Sequence, residues 1–235
     1  MSGWKAKRFW KAVSVTAEAD GFSVLLDARP VRTPTKYLLV LPTRTMAEAI
    51  AAEWDAVIST VDPRRMPVTR AANAAVDKVA PQFDEVVDLI AAYGGSDLLC
   101  YRAEAPAALA KAQSLAWDPY LDWAARTFDA PLNTTCGIVP VQQPEESLRR
   151  LAQQVRACTI FQLTALHDLV SLTGSLVLGL AATAPEIDAE TLWLLSRFDE
   201  DWQSEQWGKD EAASAMAEKK REDFLRARYF WKLSS

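Results

Sequence analysis

The sequence has few of the residues on which metal and redox chemistry usually depends. Its 235 residues include only three cysteines, at positions 100, 136 and 158, and one histidine, at position 167. The cysteines are widely spaced and never form a C-x-x-C pair, so neither a disulfide framework nor a zinc site is indicated. A reducing compartment fits this cysteine usage.

Glycine is also scarce, and its spacing excludes the common nucleotide-binding loops. The eight glycines lie at positions 3, 21, 94, 95, 137, 174, 179 and 208, and no combination of them gives G-x-G-x-x-G or a Walker P-loop. The run Gly94-Gly95-Ser96-Asp97 superficially resembles an anion-binding loop, but no lysine follows it. We therefore expect a turn that ends a helix.

Neither an excess of positive charge nor a long apolar run is present. The net charge of −5 gives no general attraction to nucleic acid. The longest uncharged stretch, residues 169–185, is slightly short for a membrane span, so it predicts a buried helix. Residues 1–11 lack an apolar signal sequence and are too short and serine-poor for a transit peptide. We expect a bacterial cytoplasmic protein, or a mitochondrial matrix protein if the chain is a trimmed mature form.

The composition and periodicity predict an α+β fold. Apolar residues alternate along the first forty residues, with turn-forming residues between the runs, which predicts a small antiparallel sheet. Thr45 and Glu48 then have capping-box spacing at the start of a predicted helix at about 44–59. We expect a β-rich N-terminal domain with its connecting helix at 1–60, and a larger, mainly helical domain at 61–235.

Most of the second domain has helical periodicity. Residues 106–129 predict two helices, because Pro119 should break one helix and Asp118 could cap the next. A linker is expected to contain an apolar extended piece at 137–141, and a short strand or buried extended segment is expected at 97–102. The other predicted helices are 69–79, 82–92, 144–157, 160–182, 187–206 and about 210–230.

The lone histidine does not indicate a catalytic site. His167 precedes Asp168 on the most apolar predicted helix. Adjacent helix positions point roughly 100° apart, so the two side chains are not expected to meet. No nucleophile is spaced to join the histidine, and we expect it to be a partly buried structural residue.

The densest group of charged residues is SRFDEDWQSEQWGKDE, residues 196–211, which contains six carboxylates and two tryptophans. On a helix, Leu195, Phe198 and Trp202 form a stripe that should face the core. Asp201 and Glu205 are four residues apart and should be neighbours on an adjoining face.

This acidic stretch has three interpretations: a reactive site, a solvated helix face, or a partner surface. Paired carboxylates can share a proton or bind a divalent cation, as in a metal-dependent hydrolase that would use Asp201 and Glu205. No histidine or third ligand accompanies them. Like charges four residues apart destabilise a helix by a few tenths of a kcal/mol, about 0.2–0.5, so the acids are not there for helix stability. Trp207 belongs to a residue type that often anchors interfaces, which favours a partner surface.

A basic segment follows the acidic one. The segregation predicts either an internal match between consecutive helices or two halves of one binding surface. The basic residues of this segment are Lys219, Lys220, Arg221, Arg226, Arg228 and Lys232.

Six motifs in order carry a resemblance to a known family. They are RFWK…GFSVLLDARPVRTP…LVLP…AIAAEWD, MPVTRAANAAVD, DLLCYRAEAP, AWDPYLDWA, GIVPVQQP and SRFDEDWQSEQWG. In this order they resemble the ATP synthase assembly chaperones that act on the α subunit of the catalytic head. The resemblance extends from Arg8 to about Glu211. The chain departs from the family pattern at Ala28, where glycine is common, so the geometry of that turn is open.

The resemblance implies a chaperone without enzymatic activity, metal or cofactor. Such a protein binds unassembled α subunit and prevents its aggregation until β subunits displace the chaperone. A monomer is favoured, and neither nucleic acid nor a membrane is expected as a partner. The E-x-W-G pattern of the family falls on residues 205–208, and the implied partner-binding residues are Glu205, Trp207, Asp201, Asp210 and Gly208. The alternative is the carboxylate- or metal-dependent hydrolase.

Overall fold

A computed structural model of the chain describes residues 7–208 and 210–235. The first six residues, on which the leader assessment partly depends, lie outside this range. So does Lys209, the one lysine in the acidic stretch.

The chain forms two compact units. The first comprises the described residues up to Phe83, together with Thr159–Ala165 and Tyr229–Ser235. The second comprises Asp84–Cys158 and Leu166–Arg228. The domain boundary expected between residues 60 and 61 remains a prediction, since compactness in space does not test which parts fold alone.

The first unit contains the predicted antiparallel sheet. Strands β1 (Val13–Glu18), β2 (Gly21–Leu26) and β3 (Arg29–Pro30) are neighbours in chain order, with Val13 opposite Leu26. Helices dominate the chain after this sheet, so the α+β prediction is confirmed.

The turn between β2 and β3 forms without the glycine that the family commonly has there. Asp27 takes the left-handed conformation, with φ of 55°, whereas Ala28 is not among the positive-φ residues described. The Asp27 carboxylate accepts hydrogen bonds from the backbone of Lys11 and Ala12, at 3.0 and 2.9 Å. These bonds lower the pKa of Asp27. Aspartate tolerates this conformation better than most residues, so alanine is acceptable at position 28.

Helix α1 (Arg44–Asp55) begins at the predicted position and ends earlier than predicted. The capping residue is Thr43, not Thr45, and its hydroxyl accepts from Met46 N at 3.1 Å. The same hydroxyl donates to Leu233 O at 2.5 Å. A threonine already engaged at the cap satisfies one of the free N–H groups of the first turn, which sets where the helix begins.

Residues 67–91 form one helical run rather than the two short helices predicted at 69–79 and 82–92. Helix α2 (Pro67–Ala74) continues through a π-helical turn and a 3-10 turn into α3 (Phe83–Ala91). A 3-10 turn at Ala92–Ser96 follows α3, so the glycine pair ends the helix as expected. The Glu53 carboxylate accepts from the backbone of Val68 and Thr69, at 2.7 and 2.8 Å, and so caps α2 from a distance in sequence.

Residues 107–128 form one helix, α4 (Ala107–Phe128), so the prediction of a break at Pro119 is wrong. Asp118 does not cap a second helix but accepts from the guanidinium of Arg102 at 2.5 Å. A proline inside a helix leaves the carbonyl four residues earlier without its donor. That residue, Leu115, is 71% exposed, so water can donate a hydrogen bond to its carbonyl. Trp117 and Leu121, on either side of the proline, are buried and pack the helix against the core.

The remaining helices in the part of the chain that the structure describes are α5 (Glu145–Arg156), α6 (Ile160–Thr173), α7 (Leu176–Ala181) and α10 (Glu211–Leu233), with α8 and α9 described below. The predicted helix 160–182 is interrupted at Gly174, which has φ of 69°. Every residue of α7 is buried, which confirms a buried apolar segment there. Among the described helices, none combines the length and apolarity that crossing a bilayer requires.

The segment 97–102 forms a 3-10 turn, Leu98–Cys100, and then strand β4 (Tyr101–Arg102), which pairs in parallel with β5 (Thr135–Cys136). The apolar piece predicted at 137–141 lies beyond β5. Ile138 is 93% exposed there, so this piece is not part of a core.

A buried carboxylate ties two parts of the second unit together. Asp97 accepts hydrogen bonds from Ser175 Oγ at 2.7 Å, and from the backbone N–H groups of Leu99 and Val177 at 3.0 Å each. Burial raises the pKa of Asp97, although these hydrogen bonds oppose the rise. The carboxylate thereby joins the turn at Leu98–Cys100 to the beginning of α7.

We expect Asp97→Ala to lower the free energy of unfolding by about 2–4 kcal/mol, because it leaves three buried donors without their acceptor. Urea unfolding measures the change. Asp88→Ala is the matched control, because this aspartate on α3 is 79% exposed and should contribute less than about 0.5 kcal/mol. Equal losses in the two variants would contradict this role for Asp97.

The raised pKa of Asp97 predicts a pH dependence with a defined sign. A carboxyl whose pKa is higher in the folded than in the unfolded state contributes stability below the unfolded pKa, about 3.9, and loses it as pH rises through the folded pKa. The stability of the natural protein relative to Asp97→Asn should therefore decrease between pH 4.5 and pH 7. Urea unfolding at both pH values measures this difference, and a difference that increases would contradict the raised pKa.

Candidate partner-binding site

The predicted helix 187–206 is two helices, α8 (Ala189–Ser196) and α9 (Phe198–Trp207), with a break at Arg197. The buried indole of Trp117 donates to Leu195 O at 3.0 Å. In a continuous helix that carbonyl would accept from the N–H four residues later. The helix is interrupted at Arg197, whose N–H donates to Leu194 O at 3.1 Å, and α9 begins at the next residue.

Two further contacts fasten the beginning of α9. The rings of Trp117 and Phe198 pack edge to face with centroids 6.0 Å apart. Gln113 Nε2 donates to Asp199 Oδ1 at 2.6 Å. Asp199 is therefore part of the structure of the helix corner, and Glu200 pairs with Arg197 at 2.8 Å.

The corner between α8 and α9 forms a groove of about 300 Å³, here called the α8–α9 groove. Helix α8 contributes the exposed Leu194, and α9 contributes Phe198 and Trp202, both half-buried. The full lining is Thr191, Leu194, Leu195, Phe198, Asp201, Trp202 and Glu205. The predicted inward stripe of Leu195, Phe198 and Trp202 therefore lies along a groove that remains open to solvent.

Two of the predicted site residues meet in this groove. Asp201 and Glu205 line it together and both are exposed. In the described part of the chain, neither carboxylate forms an ion pair. The groove thus combines an apolar floor with two carboxylates that have no cationic partner there.

Trp207 lies on a different face of α9. It comes nine residues after Phe198, which at 100° per residue is half a turn away from the groove. Its side chain is 81% exposed. The structure therefore separates Trp207 from Glu205, although the two residues are close in sequence.

Gly208 and Asp210 shape the corner between α9 and α10. Gly208 ends α9 with φ of 94°, a conformation that favours glycine. Asp210 Oδ1 accepts from the backbone of Ala212 and Ala213, at 2.8 and 3.2 Å, and so caps α10. Asp210 therefore has a structural role as a helix cap. The side chains of Asp201 and Glu205 have no such role among the contacts of the described residues.

The basic residues of α10 do not neutralise the groove. Arg221 pairs with Glu190 and Glu218, and Arg226 with Glu222 and Asp223. Arg228 is buried and donates to Ala184 O at 3.1 Å. Within the described residues, no ion pair joins α10 to the acids of 199–211, so the internal match between these two segments is absent there.

His167 departs from one expectation. Its Nδ1 lies 3.0 Å from Asp168 Oδ1, so the two side chains do meet. The hydrogen bond raises the pKa of His167. The 100° separation applies to the Cα–Cβ directions, and rotation about the side-chain bonds closes the gap.

The described residues offer little support for a metal site or for a cysteine nucleophile. No group of three histidine, cysteine, aspartate or glutamate side chains there could hold a metal ion. Burial raises the pKa of Cys100 to about 12 and that of Cys158 to about 11, which disfavours the nucleophilic thiolate.

Comparisons with known proteins agree with this fold. The family model for the ATP12 chaperone protein matches residues 7–125. Atp12 from Paracoccus denitrificans is 51% identical, with 98% of this chain and 99% of that chain covered and a TM-score of 0.95. A point mutant of the same Atp12p gives 50% identity, 98% coverage of both chains and a TM-score of 0.96. The Atu1473 protein of Agrobacterium tumefaciens is 40% identical, with 98% and 86% of the two chains covered and a TM-score of 0.90.

These similarities define a chaperone protein of α+β fold. The chain belongs to the ATP12 chaperone family. The resemblance to ATP synthase assembly chaperones that its motifs indicate is thereby confirmed.

We expect divalent cations to leave the melting temperature of the protein unchanged. Two solvent-exposed carboxylates without a third ligand should hold Mg²⁺, Mn²⁺ or Zn²⁺ too weakly to stabilise the folded state. A melting curve at 1 mM of each cation, with EDTA as the control, tests this. An increase of more than about 2 °C that Asp201→Asn abolishes would instead favour a metal site.

Proposed function

We propose that this protein is a non-enzymatic assembly chaperone that binds the unassembled α subunit of the ATP synthase catalytic head. It prevents aggregation of the α subunit until β subunits displace it. The observation that carries the proposal is the α8–α9 groove, which presents unpaired carboxylates beside exposed apolar side chains. Membership of the ATP12 chaperone family supports a chaperone function and a protein partner.

An α subunit without its partners exposes surfaces that are later buried against β subunits. Exposed apolar patches of this kind cause aggregation. A chaperone has to cover such a patch without binding so tightly that β subunits cannot replace it. A small groove with charged rims suits that requirement, because rim charges chiefly orient a complex and accelerate its formation rather than add to its affinity.

The charge distribution supports a basic partner surface. The second unit, which contains the groove, carries 13 lysines and arginines against 23 aspartates and glutamates, a net charge of −10. The first unit carries 13 against 8, a net charge of +5, and the two values sum to the −5 of the chain. An acidic unit of this size attracts a basic surface over distances up to about 10 Å at ordinary ionic strength.

The proposed partner-binding residues have different roles. Asp201 and Glu205 contact basic groups of the α subunit, and Trp207 is a separate apolar contact on the outer face of α9. Gly208 and Asp210 act by fixing the corner where α9 meets α10. The proposed location is the bacterial cytoplasm, and the related solved structures come from bacteria. The proposed function requires no cofactor.

The test is co-expression with the α subunit alone, which should yield soluble α subunit that elutes with this protein. Glu205→Lys should reduce the co-eluting α subunit at least tenfold, because a cation would face the basic groups that the carboxylate is proposed to contact. Densitometry of the eluted complex measures the ratio.

Glu85→Lys is the matched control for this charge reversal. Glu85 is exposed on α3, outside the groove, and its reversal changes the net charge of the chain by the same amount. Both variants should melt within a few degrees of the natural protein. Equal recovery of α subunit by Glu205→Lys and Glu85→Lys would contradict the assignment of Glu205, and no recovery by the natural protein would contradict the proposed function.

A further inference from the structure

We infer that the α8–α9 groove receives one large apolar side chain of the α subunit together with a lysine or arginine within one helical turn of it. This inference rests on the proposed function and names what the groove recognises. It assigns the main apolar contact to the groove floor, not to Trp207.

The size of the groove limits its occupant. At about 300 Å³ it lies at the lower end of the range for ligand sites, so it accommodates one or two side chains rather than a whole helix. Its apolar surface includes Leu194, which is 59% exposed, beside the half-buried rings of Phe198 and Trp202. A leucine-, methionine- or phenylalanine-sized side chain would cover these atoms and remove them from water.

The two carboxylates limit the chemistry of the occupant. A purely apolar segment would cover Asp201 and Glu205 without compensating their charge, which is costly. An acidic segment would be repelled. A cation placed next to the apolar side chain satisfies both conditions, because it lies over the carboxylates while its neighbour fills the floor.

Within residues 7–208 and 210–235, no lysine or arginine forms an ion pair with Asp201 or Glu205. Arg197, the cationic residue at the corner itself, is held by Glu200 at 2.8 Å. Arg221 is held by Glu190 and Glu218. The carboxylates therefore remain available to a partner.

The groove is preformed, which makes it suitable for a transient partner. Its walls are fixed by the hydrogen bond from Trp117 Nε1 to Leu195 O and by the bond from Gln113 to Asp199. Little ordering is then needed on binding, so a small contact area can still give measurable affinity.

The first experiment compares two leucines of similar exposure, 59% for Leu194 and 55% for Leu89. Leu194→Gln alters the groove wall, and Leu89→Gln alters an exposed leucine on α3 that is 55% exposed. With co-expressed α subunit, we expect Leu194→Gln to reduce the co-eluting α subunit at least fivefold and Leu89→Gln to leave it within twofold. Melting temperatures of both variants establish that each is folded.

The second experiment tests the cation. The double variant Asp201→Asn with Glu205→Gln keeps the shape of the rim and removes its charge. We expect it to bind the α subunit less than the natural protein at 50 mM salt and to show a smaller salt dependence of binding. A salt dependence equal to that of the natural protein would overturn the charged part of the inference.

The third experiment identifies the occupant directly. A photo-crosslinking amino acid at position 194 is irradiated in the complex with the α subunit, and the linked peptide is sequenced by mass spectrometry. We expect an α-subunit peptide with a large apolar residue and a lysine or arginine within four residues of it. Crosslinking to a second copy of this chain, or to a peptide lacking that pattern, would overturn the inference.

These outcomes distinguish the inference from the proposed function. If the natural protein recovers no α subunit, the proposed function is wrong and the inference is wrong with it. If the natural protein and Leu194→Gln recover α subunit equally, the inference is wrong and the proposed function stands.

Discussion

The hydrogen bond from the Trp117 indole to the Leu195 carbonyl is the interaction on which the candidate site depends. Trp117 is 1% exposed, so its N–H must find an acceptor inside the protein. The Leu195 carbonyl accepts this bond next to the break at Arg197 that separates α8 from α9, and the groove is lined by residues on both sides of that break. Trp117 is itself held from the other side, where the Arg102 guanidinium lies 5.2 Å from its ring centroid and pairs with Asp118. The buried Asp97 performs a similar task at the start of α7.

The proposed site combines two properties that suit a partner that has to be protected and later released. The apolar floor contributes burial in a small area, whereas the carboxylates sit at an exposed rim where water and salt screen them. A surface of that kind forms complexes quickly and gives them up when a larger interface competes. The acidic character of the whole second unit extends the same effect to longer range.

Local signals predicted much of the fold. Alternating residues located the sheet, and helical periodicity located α5 and α10 within a few residues. The errors occur where tertiary packing or side-chain rotation decided the outcome. Pro119 does not break α4, because the helix packs in the core on either side of it and its unpaired carbonyl is at the surface. His167 meets Asp168 through side-chain rotation that a helical wheel ignores. Helical spacing places Leu194 one turn before Phe198, but whether these side chains are covered or line an open groove depends on what packs around the two helices.

The sequence by itself determined the family, the α+β class, and the presence of an acidic pair at Asp201 and Glu205 spaced to be neighbours. These properties follow from the order of motifs and from the period of a helix, which are both local. The tertiary structure alone decided which of the predicted residues share a surface. It placed Asp201 and Glu205 over an apolar groove, placed Trp207 on the opposite face of α9, and used Asp210 as a helix cap. The reason is physical: contacts such as the bonds from Trp117 to Leu195 O and from Gln113 to Asp199 join residues far apart in the chain, so they form only when folding brings those residues together.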